Sequence, residues 1–304
     1  QQQAVSDLRD LFRRGYESAL FVLPTGGGKT VIFSEITRGA VSLGKRVLIL
    51  VHRSELLHQA HRNLVNLGLD VGLIYKRGMY SPRRLVHVSS IQTMAAPGRL
   101  RFVDPEEFDL IVVDEAHHAT AGSWRRVIDH FKGAKLLGVT ATPIRGDGRG
   151  LRDMFRVMVK GPEPEWLTEQ GYLADARVFA PPVGFDASKV RRRLGDFDRT
   201  ESEQQLVTKV VLGDCVEHYR KHMNGGTAIA FCVSVDHAKL VALQFRSEGI
   251  PSACIDGSLA TDERERLLNE LGTGELKVLT SCDLIGEGVD VPSVTGAILL
   301  RPTQ

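Results

Sequence analysis

The tightest constraint on how this chain folds is the run Leu20-Phe21-Val22-Leu23-Pro24-Thr25-Gly26-Gly27-Gly28-Lys29-Thr30. An apolar stretch meets a glycine cluster, and a segment with Ile32, Ile36 and Ala40 at helical spacing follows directly. Strand, tight turn and helix N-terminus in that order form an anion cradle. Consecutive glycines let backbone N–H groups curl around phosphate oxygens, and the helix start adds roughly half a positive charge facing them. Thr25, Gly26, Gly27 and Gly28 then line the cradle, Lys29 holds the β- and γ-phosphates of a nucleotide, and the Thr30 hydroxyl ligates Mg²⁺. The general phosphate-loop pattern opens on a glycine where this chain has Leu23.

Short apolar runs recur at Leu20 to Leu23, Val47 to Val51, Leu110 to Val113 and Leu136 to Val139. Runs apolar on both faces suit strands buried in a parallel sheet covered by helices. Leu57, His61, Leu64 and Val65 repeat the helical pattern after the second run, giving a βαβ alternation. The third run ends in Asp114-Glu115-Ala116-His117-His118, which places two adjacent carboxylates at the carboxyl end of a strand. Ligands of open parallel sheets bind at that end, so this pair and the glycine loop point into one crevice. Asp114 is the candidate for the Mg²⁺ shell, and Glu115 for orienting and deprotonating an attacking water. The fourth run leads into Gly138-Val139-Thr140-Ala141-Thr142-Pro143, whose hydroxyls are free to bond a carboxylate or are ordinary β-branched filler.

The alternation breaks at Gly146-Asp147-Gly148-Arg149-Gly150, and an irregular stretch follows with Gly161-Pro162-Glu163-Pro164, Pro181-Pro182 and Arg191-Arg192-Arg193. From about Gln204 it resumes, with strand candidates Thr227 to Val233, Ala253 to Ile255, Leu276 to Thr280 and Ala297 to Leu300. The expected organisation is a first α/β lobe over residues 1–160, an insert or linker over 161–203 and a second α/β lobe over 204–304. A chain of 304 residues with 42% hydrophobic and 25% charged residues accommodates two such cores and excludes a disordered or collagen-like class. No apolar run approaches the ~18 residues of a membrane span, and Gln1-Gln2-Gln3 does not open like a secretory signal. Cys215, Cys232, Cys254 and Cys282 are isolated in or beside apolar segments. The absence of a Cys-x-x-Cys pair argues against zinc, and the apolar surroundings favour buried reduced thiols over disulfides, as in a cytoplasmic protein. A net charge of +2 means that any nucleic-acid surface is local.

Taken in order, these elements resemble the superfamily 2 helicases and translocases, within them the DEAH-type group that includes RadD-like, XPB-like and restriction-enzyme motor subunits. In that resemblance Gln1 is similar to the glutamine that reads adenine, and Thr25 to Thr30 form motif I. Val51-His52-Arg53-Ser54-Glu55-Leu56 resembles motif Ia, and Ser89-Ser90-Ile91-Gln92-Thr93 the next nucleic-acid-contacting motif. Asp114 to His117 reads DEAH, and Thr140-Ala141-Thr142 is similar to motif III. Ala228 to Ser234 resembles motif IV, and Thr280 to Pro292 motif V, in which Gly288 and Asp290 would close on the nucleotide.

The resemblance implies two RecA-like parallel-sheet lobes, ATP and Mg²⁺ as cofactors, and DNA as the polymer in repair or replication-fork processing. Lys29, Asp114 and Glu115 would be catalytic, and His117, Thr140 and Thr142 would couple hydrolysis to the bound strand. Arg53, Ser89, Ser90 and Thr93 would contact nucleic acid. A motor that grips any sequence holds phosphates rather than base edges, and 6% aromatics favours such backbone tracking. Capping of a helix start is the alternative role for Ser54 and Ser90. A solvated charge run is the alternative for Arg191 to Arg193. The spacing of His52, His58, His61, His117 and His118 does not suit a metal site.

Leu299 to Gln304 resembles the strand leading into motif VI, whose arginines contribute about 10³ to 10⁵ in rate in related phosphoryl-transfer enzymes. No such motif is visible before Gln304. The expectation is therefore a second lobe incomplete at its C-terminus, and a chain that binds ATP better than it hydrolyses it. Rival readings are a related RNA helicase or restriction translocase, a nucleotide-gated binding module without turnover, and an unrelated phosphate-loop ATPase.

Overall fold

The computed structural model describes residues 1–52, 54–75, 81–119, 122–143, 151–179, 192–193, 196–197, 209–282, 284–285, 291 and 293–301. The chain divides into two compact units, Gln1–Arg177 and Val178–Gln304. In the first, seven strands run β1 (Ser18–Val22), β2 (Val47–Val51), β3 (Val71–Ile74), β4 (Val86–Ser90), β5 (Leu110–Asp114), β6 (Lys135–Thr140) and β7 (Val157–Lys160). They form one sheet in the order β3-β4-β2-β5-β6-β1-β7, with every pairing parallel. The accompanying helices are α1 (Gln2–Arg13), α2 (Lys29–Ser42), α3 (Ser54–Asn66), α4 (Ile91–Met94), α5 (Gly122–His130) and α6 (Pro164–Glu169).

The strand alternation divides the core between the two faces of this sheet. Val47, Ile49 and Val51 of β2 join Phe21, Ile32, Phe33, Ile36, Leu57 and Leu64 in one cluster. Leu48 and Leu50 point the other way, into a cluster with Ile111, Val113, Trp124 and Phe131. Burying each such aliphatic side chain is worth roughly 1.5–3 kcal/mol, which is why a strand apolar on both faces belongs in the middle of the sheet. The helix expected from Thr30 to Leu43 is α2, with Ile32, Phe33 and Ile36 buried and Val31 exposed.

Three strands depart from the apolar-run pattern. β3 and β4 carry a glycine and polar residues, and β7 alternates between half-buried and exposed at the sheet edge. The segment after residue 160, expected to be an insert, continues the first unit as far as Arg177. Its Leu167 is buried in the same cluster as Leu23, and Leu173 packs against it.

The second unit has four parallel strands, β10 (Ala228–Cys232), β11 (Ser252–Ile255), β12 (Val278–Ser281) and β13 (Gly296–Leu300), in the order β11-β12-β10-β13. These match the expected strands with shifts only at their ends. Helices α7 (Lys209–Met223), α8 (Val235–Ser247) and α9 (Thr261–Thr273) accompany them, after a short antiparallel pair, β8 (Arg192–Arg193) with β9 (Asp196–Phe197). Ser234 caps α8 by accepting the His237 N–H at 3.0 Å. Cys215 and Cys232 are buried, whereas Cys254 and Cys282 are only partly so. Burial pushes the Cys215 thiol up to about 12 and raises that of Cys232, so neither is a nucleophile near neutrality. No helix among the described residues is long and apolar enough to cross a membrane.

His87 shows what β4 asks of the sheet. It is fully buried on the strand, its ring meets Phe108 edge-on, and its Nε2 accepts the Ser81 N–H at 3.3 Å. Burial, with Arg46 and Arg84 nearby and Asp70 opposing them weakly, pushes its pKa down to about 4. Between the ordinary 6.5 and that value the unfolded chain binds a proton that the folded chain does not. Stability therefore falls as pH drops through this window, by on the order of 3 kcal/mol for the shift as it stands. Denaturant unfolding at pH 7, 6, 5 and 4.5 should show this acid limb, and His87→Gln should flatten it by about one proton's worth of slope.

Candidate nucleotide site

β1 lies between β6 and β7, yet the chain leaves it to build β2, three places away. A crevice opens at the carboxyl end of β1 as a result, and the glycine loop occupies it. Gly28 is the N-cap of α2 with φ +97°, a left-handed backbone that a side chain resists, and Lys29 is the first residue of the helix. The loop is also crowded from outside. The Gln1 amide nitrogen reaches the Gly27 carbonyl at 3.5 Å, and a Cβ on Gly28 would collide with that amide. Gln1, expected to read a base, is thereby held against the phosphate loop by the N-terminus of α1. Thr25 and Gly26 are exposed, while Gly27, Gly28, Lys29 and Thr30 are half-buried.

Parallel register brings the acidic pair to the same edge. Val22 of β1 pairs with Thr140 of β6, and Asp114 of β5 pairs with Val139, the residue before it. Asp114 ends its strand, and its Oδ1 accepts the Glu115 N–H at 3.1 Å. Glu115 then turns with φ 50°, one of two described non-glycine residues with positive φ. A left-handed backbone at such a residue costs about 1–3 kcal/mol. That turn aims the carboxylate back at the loop.

Both oxygens of Glu115 are engaged. Oε1 lies 3.7 Å from Lys29 Nζ, with each side chain only about a tenth exposed, and Oε2 lies 3.4 Å from His117 Nδ1. The same Nδ1 is 3.0 Å from Thr140 Oγ1, which donates to the Thr142 carbonyl at 2.9 Å and accepts the Thr142 N–H at 3.2 Å. Because the Thr140 hydroxyl proton is committed to Thr142, the network assigns the proton between Thr140 and His117 to Nδ1. Lys29, Glu115, His117, Thr140 and Thr142 therefore form one connected polar set. Oxygens of Asp114 and Thr30 are of the hard type that Mg²⁺ takes.

The expected nucleic-acid residues fare differently. Ser89 and Ser90 do not follow a strand but end β4, and both are fully buried. Ser89 Oγ donates to the Ile74 carbonyl at 2.8 Å, and Ser90 Oγ caps α4 by accepting the Thr93 N–H at 3.3 Å. Their hydroxyls serve the fold, so the capping role is the one realised at Ser90. Thr93 lines a surface hollow of about 310 Å³ with Pro97, Arg99 and Phe102. Arg53, Arg191, Gly288 and Asp290 lie outside the described residues.

His52 and His118, weighed in the sequence only as metal ligands or motif members, meet in the structure. Their rings stack at 4.2 Å with 20° between planes, and Gln92 Nε2 donates to the His52 carbonyl at 2.6 Å. The adjacent histidines at 117 and 118 were visible in the sequence, but only a search for ring partners across the sheet would have paired them with His52.

Residues 1–145 match the family described as "Type III restriction enzyme, res subunit", and residues 209–304 match "Helicase conserved C-terminal domain". The chain is 34% identical over 281 residues to a 51.5 kDa protein of a Lactococcus phage, covering 92% of this chain and 58% of that protein. It is 29% identical to the putative ATP-dependent helicase IRC3 of Saccharomyces cerevisiae, covering 100% of this chain and 47% of the relative. A putative DNA 3'-5' helicase Rad25 of Haloarcula marismortui is 26% identical, over 93% of this chain and 44% of its own length. The chain thus spans about half the length of these curated relatives. Among solved structures, S. cerevisiae Dbp5 bound to RNA and ADP BeF3 superposes with TM-score 0.62 at 19% identity, covering 97% of this chain and 73% of that one. The helicase domain of Pyrococcus furiosus Hef does so with TM-score 0.57 at 17% identity, covering 97% and 89%. Two RecA-like parallel α/β lobes are the shared fold.

The glycine loop generates a stability prediction independent of any ligand. Gly28→Ala should cost the roughly 1–2 kcal/mol of a left-handed alanine and little more, because the Gln1 amide that the new methyl meets is the end of an exposed side chain that can swing aside. Gly15→Ala, at φ +91° in open space, should cost the backbone term alone. Urea unfolding should therefore show closely similar losses in the two variants.

Proposed function

We propose that the chain carries the two-domain core of the superfamily 2 helicases and is an ATP-hydrolysing nucleic-acid translocase acting on DNA. The observation that carries the reading is the contact of Lys29 and Glu115, on separate elements, at the mouth of the glycine loop. Lys29 and the backbone N–H groups of Gly26 and Gly28 hold the triphosphate, the Gly27 N–H being donated to the Pro24 carbonyl, and Gln1, at the Gly27 carbonyl, reads the base. Bound Mg²⁺, held by Thr30 and Asp114, would neutralise charge on the transferred phosphoryl group.

Once phosphate oxygens draw Lys29 away, Glu115 is left to orient a water and accept its proton. His117, with its Nδ1 proton shared between Glu115 and Thr140, keeps the carboxylate in that pose. Thr140 and Thr142 connect it to the end of β6. Thr93 contacts the polymer from α4, and Arg53 from the segment after β2. Support for DNA comes from relatives named as DNA helicases, and the proposed setting is repair or replication-fork processing by a RadD-like motor. RNA is the second reading, favoured by the 24% identity to a Candida glabrata protein named as an ATP-dependent RNA helicase.

Steady-state ATP turnover with single-stranded DNA, duplex DNA or RNA tests this directly. The expected result is that DNA raises a low basal turnover. Stimulation by RNA alone would replace DNA with RNA, and no turnover under any condition would reduce the chain to a nucleotide binder. Glu115→Gln should lower turnover by about 10²–10⁴-fold while ATP binding, followed by titration calorimetry, is retained. Lys29→Ala should lose both. Normal turnover in either variant would remove that residue from the chemistry.

A further inference from the structure

The DEAH turn does not end its contacts at His117. Ring centroids of His117 and His118 lie 4.1 Å apart, those of His118 and His52 4.2 Å apart, and His52 continues at 6.4 Å and 11° to Trp124. The run crosses the sheet edge between neighbouring strands, since His118 follows β5, His52 follows β2, and Leu50 pairs with Val113. Trp124, 2% exposed within α5, anchors its far end in the core. At its near end stands Glu115, through the His117 contact of 3.4 Å. The His52 carbonyl is in turn gripped by Gln92 of α4 at 2.6 Å, one residue before Thr93. A single line of contacts thus joins the proposed hydrolytic carboxylate to both segments proposed to hold the polymer.

Two explanations compete. A metal site would require ring nitrogens converging on one point, whereas His52 and His118 lie face to face with 20° between their planes and His117 meets His118 at a tilt of 47°. Plain packing would favour apolar rings, yet His52, His117 and His118 are all half-buried at the edge of the crevice. Flat stacked rings resist tilting and so transmit a shift of one loop to its neighbour. Such stacking also survives replacement by another planar ring.

We propose that His118 is a positioning residue that, through its stack on His52, couples polymer binding at the segments after β2 and β4 to the pose of Glu115. The inference rests on the translocase reading above. It adds to that reading a specific route by which nucleic acid sets the rate of hydrolysis. His118 itself touches neither phosphate nor polymer in this scheme, so its removal spares both binding steps and the basal rate.

The test uses the full chain and its His118→Ala, His118→Gln and His118→Phe variants. For each, basal turnover, maximal turnover with a single-stranded DNA oligonucleotide, the oligonucleotide concentration giving half-stimulation, and DNA affinity by fluorescence anisotropy are measured. An RNA oligonucleotide of matched sequence runs alongside. In His118→Ala, polymer-stimulated turnover should fall about tenfold, within the usual range of coupling between two sites, while basal turnover and DNA affinity stay at parent values. His118→Phe should recover most of the stimulation, because it restores a flat ring without the nitrogens. If His118→Ala fails to fold, His118→Gln takes its place with the same expectation.

Parental stimulation in His118→Ala overturns the inference and leaves the translocase reading intact. A basal rate that falls in step with the stimulated one also overturns it, since His118 would then belong to the hydrolytic site. Failure of His118→Phe to recover stimulation overturns the stacking route. Absence of polymer stimulation in the parent itself overturns the translocase reading, and this inference with it.

Discussion

A carboxylate in a left-handed turn, facing an ammonium on the first residue of a helix, is the interaction around which the first unit is arranged. Glu115 and Lys29 are far apart in sequence, and their 3.7 Å contact exists because β5, β6 and β1 are consecutive strands in one register. The backbone strain at Glu115 is offset by the fold on both sides. Asp114 holds the turn's N–H, while Lys29 and His117 each hold an oxygen of the carboxylate. A glutamate left-handed at a strand end has no purpose in sheet stability. It makes sense where a carboxylate must face a crevice rather than continue along the strand.

From that contact the polar network runs in two directions. One branch goes through Thr140 to Thr142 at the end of β6, by hydrogen bonds with assigned direction. The other goes through stacked imidazoles to the segment after β2 and on to α4. Both branches lie along the carboxyl edge of one parallel sheet. That edge is where strand order leaves a crevice and where helix N-termini present unsatisfied N–H groups. The second unit repeats the parallel architecture with fewer described strands, its apolar residues again divided between two clusters.

Much of this was legible in the residues. Apolar runs long enough for one strand located β1, β2, β5 and β6, which are buried on both faces, and all four strands of the second sheet, of which β13 has its alternate residues exposed. The glycine loop and the acidic pair declared themselves by type and spacing. β4 was missed because its polar residues, His87, Ser89 and Ser90, are satisfied by partners that no run of apolar residues encodes, and β3 because it is only four residues long with Gly72 inside it. Ser89 and Ser90, matched in sequence to a polymer-contacting motif, hold their hydroxyls in bonds with the Ile74 carbonyl and the Thr93 N–H. The stretch beyond residue 160 looked like a linker because Pro and Gly dominate it. Leu167 and Leu173 nevertheless anchor it to the first core.

By itself, then, the sequence determined the class of fold, the glycine turn between β1 and α2 and the acidic pair at the end of β5, since each is written in a short contiguous stretch. Tertiary structure alone decided which groups meet. Strand order put Lys29 against Glu115, the turn after Asp114 aimed the carboxylate, and the adjacency of β2 and β5 stacked His52 on His118. Those outcomes depend on register between segments distant in the chain, and register is a property of the assembled sheet rather than of any one strand in it.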